Sequence, residues 1–292
     1  AAFDRGDFEL DQEISGRGRA SVRSHIAKSA LFANDTIVVG SLTITPGIRF
    51  DHTTTNGDFL SPSFGVTWGI GEHTVLRGAV ARGFMVPPVI YTQGDGLTLV
   101  PNPELNMEKV LSWQAGFETS LLRYFWLKSI FFRHDVSDAL VATRLSAEEV
   151  RYENRDKQRR QGVEVEVKTI PFWYTTLGAG YTFIDSTDRN THQRIPSSAR
   201  QSVNAVIQFD DLKNTRANLV GRYIWWNAPD FTHGNYASVI WDMNVARKIY
   251  NNERLSVELF LAARNLFNGS QYVDDTLKNP GRWFEGGIRF DF

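Results

Sequence analysis

Apolar and polar residues alternate with a period of two along most of this chain. That is the signature of extended strand, whose successive side chains point to opposite faces. The C-terminal run shows it plainly: Phe284, Gly286, Ile288, Phe290 and Phe292 fall on one face, Trp283, Glu285, Gly287, Arg289 and Asp291 on the other. Leu42, Ile44, Pro46, Ile48 and Phe50 alternate in the same way with Thr43, Thr45, Gly47, Arg49 and Asp51. Val163, Val165 and Val167 alternate with Glu164, Glu166 and Lys168, and similar runs lie at Ser202–Phe209, Val239–Val245 and Arg254–Leu261. The run Phe125–Asp135 carries Lys128 and Arg133 on opposite faces, and its sides cannot be assigned from sequence.

Short turns are expected near 40–41, 71–72, 122–123, 171–172, 211–214 and 251–252, and long polar loops near 51–60, 84–106, 143–161, 186–200, 227–236 and 268–281. Short and long connections alternate, which in an up-and-down antiparallel sheet gathers the turns at one rim and the loops at the other. The reading gives about 13 strands from Ala27 to Phe292, and about 14 with a candidate at Phe3–Ile14. No stretch makes a convincing amphipathic helix; Ser146–Tyr152 comes nearest and is read as loop. No linker or composition shift divides the 292 residues.

Such a pattern suits either a soluble sandwich or β-helix with one buried face, or a membrane barrel. A mean hydropathy of −0.30 and the lack of any run near the ~20 apolar residues of a membrane helix do not separate the two, because a barrel averages out to polar. Three features favour the barrel. Long and short connections are segregated. Aromatics gather at strand ends (Phe125-Trp126, Phe172-Trp173-Tyr174, Tyr223–Trp226, Trp283, Phe292), where headgroups would lie. The polar face also carries full charges two residues apart. In hydrocarbon such a sheet must close on itself or join further strands, because an unpaired backbone group there costs several kcal/mol.

Several segments resemble the C-terminal half of the TonB-dependent outer-membrane receptors. They are Asn102-Pro103-Glu104-Leu105 followed by Glu108 and the strand Trp113–Glu118; Leu42–Asp51 leading to Ser61-Pro62; Thr74–Ala81 ending in Arg82-Gly83-Phe84; Asn154–Arg159 leading into Gln161–Glu164; Asn265-Leu266-Phe267-Asn268; and Pro280–Phe292. The resemblance runs from about Ala30 to the end. It implies an all-β, antiparallel transmembrane barrel, with these ~14 strands as the C-terminal portion of a plugged barrel of about 22. Residues 1–292 would then be one partial barrel domain, with the plug and first strands outside it. The chain opens Ala1-Ala2-Phe3 with neither an initiator Met nor a signal segment, so the expectation is a processed, trimmed or partial chain, with a self-closed pore as a further reading.

The resemblance implies active uptake of a scarce ligand, foremost a ferric siderophore, across a Gram-negative outer membrane. Its implied partners are the missing plug and strands, TonB through the plug, outer-membrane lipid and lipopolysaccharide, and a small-molecule ligand. A passive porin-like barrel, or a receptor for cobalamin, haem or another metal chelate, is the alternative. With 33 acidic and 32 basic residues no nucleic-acid partner is expected.

The absence of cysteine excludes thiol chemistry and disulfides. The six histidines show no metal-ligand spacing, and His25, His52, His73, His134, His192 and His233 read as solvated or structural. Asp135 and Asp138 could pair in a barrel hydrolase but lack a positioned His or Ser. No catalytic residue, cofactor or metal site is therefore assigned. Asp95, Asp185, Asp188, Asp274 and Asp275 could offer oxygens to calcium, though solvated loop is the simpler reading. Gly178, Gly180, Gly286 and Gly287 mark bends or close approach. Candidate ligand contacts are the aromatic and basic residues expected in the loops: Tyr91, Tyr152, Arg159, Arg160, Arg194, Trp226, His233 and Tyr236, with Arg155 and Phe231 beside them. Rings plus guanidiniums suit an anionic, ring-bearing chelate.

Overall fold

The computed structural model describes residues 2–14, 18–155, 157–195, 198–226, 238–271 and 278–292, with side chains from residue 26 onward. The strands are β1 (Ala2–Ile14), β2 (Gly18–Asn34), β3 (Ile37–Val39), β4 (Leu42–Thr53), β5 (Gly57–Ile70), β6 (Thr74–Met85), β7 (Leu99–Val100), β8 (Glu108–Thr119) and β9 (Phe125–Ser137). They continue with β10 (Leu140–Arg144), β11 (Val150–Asn154), β12 (Gln158–Thr169), β13 (Thr175–Asp188), β14 (Ala199–Asp210), β15 (Thr215–Trp226), β16 (Ile240–Asn251), β17 (Ser256–Arg264) and β18 (Trp283–Asp291). A single short helix, α1 (Val89–Gln93), lies among the described residues.

One antiparallel sheet runs β1-β2-β4-β5-β6-β8-β9-β12-β13-β14-β15-β16-β17-β18, with β3 also on β4. β3 is the continuation of β2. Asn34 pairs with Gly47 and Ile37 with Ile44 in one unbroken register. The gap falls opposite Pro46, which has no N–H to give the ladder but accepts from the Asp35 N–H at 3.2 Å. The wall therefore has the fourteen strands expected. Among the described residues β1 pairs with β2 alone and β18 with β17 alone.

Directly opposed residues share a face, so the registers carry one face across the sheet. Phe50 faces Leu60, Ile48 faces Pro62, Ile44 faces Val66 and Leu42 faces Trp68. Trp68 then faces Leu76, and Leu76 faces Phe117. On the same face Ala115 meets Phe131 and Phe131 meets Val163, then Val163 meets Phe183. Farther on, Leu219 meets Met243 and Leu261 meets Gly286. Among the described residues nothing covers this face: Phe64, Trp68, Trp113, Phe131, Phe284, Ile288 and Phe290 are all exposed. From β4 to β18 the sheet presents one apolar surface, which is what lipid requires and water does not permit. The other face carries Thr43, Thr67, Arg77, Gln114, Glu118, Lys128, Glu164, Glu166, Asn204 and Asn218. The β9 ambiguity resolves: Leu127, Ser129, Phe131, Arg133 and Asp135 lie on the apolar face, Lys128, Ile130, Phe132 and His134 on the polar one. No helix among the described residues is long and apolar enough to cross a membrane.

The rims differ from the expectation in detail. Segment 51–60, expected as a long loop, is paired strand up to Thr53↔Gly57. The buried Thr53 hydroxyl accepts from the Asn56 N–H and donates to the Gly57 carbonyl, and Gly57 takes φ +74°. That closes a tight hairpin at the loop rim, so the alternation of connection lengths is not strict. Segments 84–106 and 143–161 are not plain loops either: they hold α1, β7, β10, β11 and the start of β12. Within Ser146–Tyr152 the Ser146 hydroxyl caps the Glu148 and Glu149 amides in a turn that feeds β11.

Candidate functional site

Above the wall, the two long connections around β8–β9 fold onto each other. β10 and β11 form a hairpin, and β11 adds β7 in parallel through Val150↔Leu99 and Arg151↔Val100. Polar side chains fasten the joint. Asn102, buried, donates from Nδ2 to the Tyr152 carbonyl at 2.7 Å. Asn154 accepts from the Asn106 N–H at 2.6 Å and donates to the carbonyls of Asn106 and Asp138 at 3.0 and 2.8 Å. Asn56, from the neighbouring hairpin, donates to the Leu105 carbonyl at 2.7 Å. Leu105, Met107 and Ala139 are buried beneath. Tyr91, on α1, stacks on Tyr152 with centroids 3.5 Å apart. Its hydrogen bond pushes the Tyr152 phenol up to about 12, with burial adding to the shift.

Asp95 organises the turn before β7. Its carboxylate accepts the amides of Leu97, Thr98 and Leu99 at 2.7–2.9 Å and the Thr98 hydroxyl at 2.8 Å. Burial opposes ionisation, yet these donors hold the carboxyl down at about 2. Asp95 thus spends its oxygens on its own loop.

The polar face of the last strands carries shared carboxylates. Glu258, buried, is gripped by Arg216 and by Arg289, the latter at 2.6 Å. Asp242, also buried, binds Arg222 at 2.7 Å and lies 3.8 Å from Arg264. Its other oxygen accepts the Asn265 N–H at 2.9 Å. Asn265 in turn bonds Gly269 and the Pro280 carbonyl, closing the connection to β18. Gly287 lies under the Phe260 ring and Gly180 against Asn204, so these glycines accommodate cross-strand neighbours.

The expected contact residues separate. Tyr91 and Tyr152 are brought together. Arg160 lies opposite His134 and Ser186 on the polar face. Trp226 ends β15, and its buried indole N–H has no hydrogen-bond partner among the described residues. Arg159 pairs with Asp135 at 2.8 Å, on the apolar side of the wall. Arg194 reaches Asp185 at 3.4 Å, and Asp185 belongs to the same side as Phe183. Arg155 binds Glu153 at 2.6 Å. Phe231, His233 and Tyr236 lie outside the described residues, as do Asp274 and Asp275. Asp135 and Asp138 have separate cationic partners, Arg133 and Arg159 for the first and Lys109 for the second. Among the described residues no group of three or more His, Cys, Asp or Glu could hold a metal. Sequence reasoning passed over Asn56, Asp95, Asn102 and Asn154 as builders of the rim. The Asn-Pro dipeptide at 102–103, a turn signal, was the local hint.

A family model described as TonB dependent receptor-like, beta-barrel matches residues 4–266. The ferrienterobactin receptor of Escherichia coli K12 is 27% identical over 140 residues, 41% of this chain and 18% of that protein. A probable TonB-dependent siderophore receptor of Acinetobacter baumannii, PirA, is 23% identical over 253 residues, 72% of this chain and 32% of that one. The ferric enterobactin receptor PfeA of Pseudomonas aeruginosa, solved in complex with BCV-L6, superposes with a TM-score of 0.78 at 17% identity, covering 99% of this chain and 51% of its own. The chain therefore spans about a fifth to a third of these curated relatives and about half of the solved one. With the family match over most of its length and a wall of the same shape, the chain belongs to the TonB-dependent receptor β-barrel family.

Proposed function

We propose that this chain forms the C-terminal wall of an outer-membrane receptor that takes up a ferric siderophore with energy relayed by TonB. The wall would be completed to about 22 strands and filled by a plug from elsewhere in the protein. The observation that carries the reading is the double-faced wall, apolar outside and charged inside, capped at one rim by a fastened platform bearing stacked tyrosines. The relatives' names point to ferric enterobactin as the kind of ligand, and the aromatic and basic residues here suit an anionic, ring-bearing chelate. Tyr91, Tyr152, Arg160 and Trp226 offer rings and a guanidinium at that rim, and this chemistry suits such a ligand better than cobalamin. The mechanism is gating. The ligand is captured at the loops, and plug rearrangement driven from the periplasm opens a path along the polar wall.

The test uses the full-length protein in cells lacking other siderophore receptors. Uptake of radioactive ferric enterobactin should stop when an uncoupler collapses the proton gradient or when TonB is deleted. Uptake that persists unchanged would make the barrel a passive pore.

A further inference from the structure

At the turn rim the polar face sinks into a cleft of about 890 Å³, near the upper end of ligand sites, which run to about 1,000 Å³. Its floor is a row of four uncharged polar side chains. Thr176 on β13 opposes Gln208 on β14, Gln208 opposes Asn218 on β15, and Asn218 opposes Asn244 on β16. Directly opposed residues share a face, so all four lie level on the polar side. Three strand steps carry the row across roughly 14 Å, at about 4.8 Å per step. Among the described residues none of the four side chains makes a hydrogen bond, and the Asn218 Oδ1 is buried without a partner. One wall of the cleft is the β12–β13 turn, where Trp173 is 89% exposed and Tyr174 56%. Both take positive φ, so the turn holds them out at a backbone cost. The lining carries one carboxylate and one guanidinium, Asp210 and Arg216, and both are engaged. Asp210 accepts the Leu212 N–H at 2.8 Å, and Arg216 is held by Glu258. The cleft is therefore close to neutral.

We propose that this cleft docks a neutral glycan of acetamido sugars, the strand material of the bacterial cell wall. The buried Asn218 oxygen can only accept, so its ligand must bring an O–H or N–H donor. A deprotonated chelate has no such donor, and the lining holds no uncommitted cation to attract it. Sugar hydroxyls both donate and accept. So do the amides of Gln208, Asn218 and Asn244, which lets the row trade bonds in either direction. An acetamido group adds the N–H that the Asn218 oxygen lacks. Trp173 and Tyr174 supply flat apolar faces with a polar edge, against which the C–H face of a pyranose ring packs. An extended peptide also brings N–H donors, but its pleated backbone presents no such flat face to the two rings. The choice of cell-wall glycan rests on the proposed orientation of the wall, with its short turns on the periplasmic side; the sugar chemistry of the cleft does not. Tyr91 and Tyr152 lie at the opposite rim, so this site is separate from capture of the transported ligand.

The experiment uses the full-length protein in a detergent without a sugar headgroup. The probes are soluble chitotetraose, cellotetraose as its analogue lacking acetamido groups, and insoluble murein stripped of its stem peptides. The wild type should bind chitotetraose and be retained on the murein. N218A and W173N should each weaken both about tenfold, and cellotetraose should bind about tenfold more weakly than chitotetraose. N204A alters an amide on the same face but outside the cleft, and should bind like the wild type. Binding that survives both N218A and W173N overturns the proposal. So does failure of the full-length protein to bind chitotetraose or murein, which would mean that its own remaining chain fills the cleft. Displacement of chitotetraose by ferric enterobactin would give the cleft to the chelate and overturn the proposal as well. If uptake proves independent of TonB while N218A still weakens murein retention, the transport reading falls and the glycan site stands.

Discussion

Tyr91 and Tyr152 lie face to face, their ring planes 8° from parallel, and so join the connection after β6 to the connection after β9. Truncating either ring should release the two together. Y91A is expected to cost about 1 kcal/mol beyond lost area. Hydrogen exchange should then speed at the Val150 amide, which crosses the joint to the Thr98 carbonyl, and at the Asn102 amide, bonded to the Tyr91 carbonyl within the first connection. Unchanged protection there would mean the asparagines suffice alone.

The same pair sets an alkaline limit. The folded Tyr152 phenol titrates at about 12 because Tyr91 and burial favour its protonated form, against about 10 for an unfolded tyrosine. An acid whose folded pKa is raised stabilises fully below its unfolded value and loses that contribution as pH climbs through the folded one. The joint should therefore weaken between about pH 10 and 12. Tyrosinate absorbance should show one phenol titrating late in the wild type and moving earlier in Y91F.

Asp95 sets the acid limit with the opposite sign. Its folded carboxyl titrates at about 2 and an unfolded one near 3.9, so roughly 2 kcal/mol of loop stability is present above pH 4 and fades toward pH 2. D95A should bring that loss to neutral pH. Limited proteolysis between residues 94 and 100 would then match the wild type at pH 2.

Trp173 and Tyr174 occupy a two-residue hairpin turn, with Phe172 and Thr175 exchanging both backbone bonds at 2.9 Å. Both take positive φ, +46° and +61°, a conformation favoured by Asn and Gly and costly for aromatics. W173N/Y174G should relieve about 1–2 kcal/mol of backbone strain. If the rings instead anchor the rim in headgroups, the variant will unfold more readily in bilayers while gaining stability in detergent. Paired denaturant titrations in the two media distinguish these outcomes.

The two faces should respond unequally to one substitution. V165R places a charge mid-belt on the lipid side and should cost about 2–4 kcal/mol. N204R, on the polar face against Gly180, should be nearly neutral for membrane stability. Urea unfolding in vesicles measures both, and equal costs would contradict the assignment of faces.

The wall was readable in the sequence because a strand's face is a local property. Leu42–Phe50 and Phe284–Phe290 declare theirs within a single run. β9 did not, since Arg133 and Asp135 follow Phe131 on one side while Phe132 and His134 lie on the other; only pairing with β8 and β12 decides. The rim was hidden for a stronger reason. Asn102 meets Tyr152, and Leu99 meets Val150 in parallel, contacts between distant segments that no local period encodes. Arg159 and Arg160 are sequence neighbours of identical chemistry, yet alternation sends them to opposite sides of the wall.

The constant register from β4 to β13 means that chain length inside a strand is read modulo two. Deleting one residue near Val165 would turn half of β12 inside out, setting glutamates in oil and valines in water. Deleting two would merely shorten the strand. Drift within this family should therefore change its strands by even steps and leave odd ones to the connections, where nothing has a side to keep.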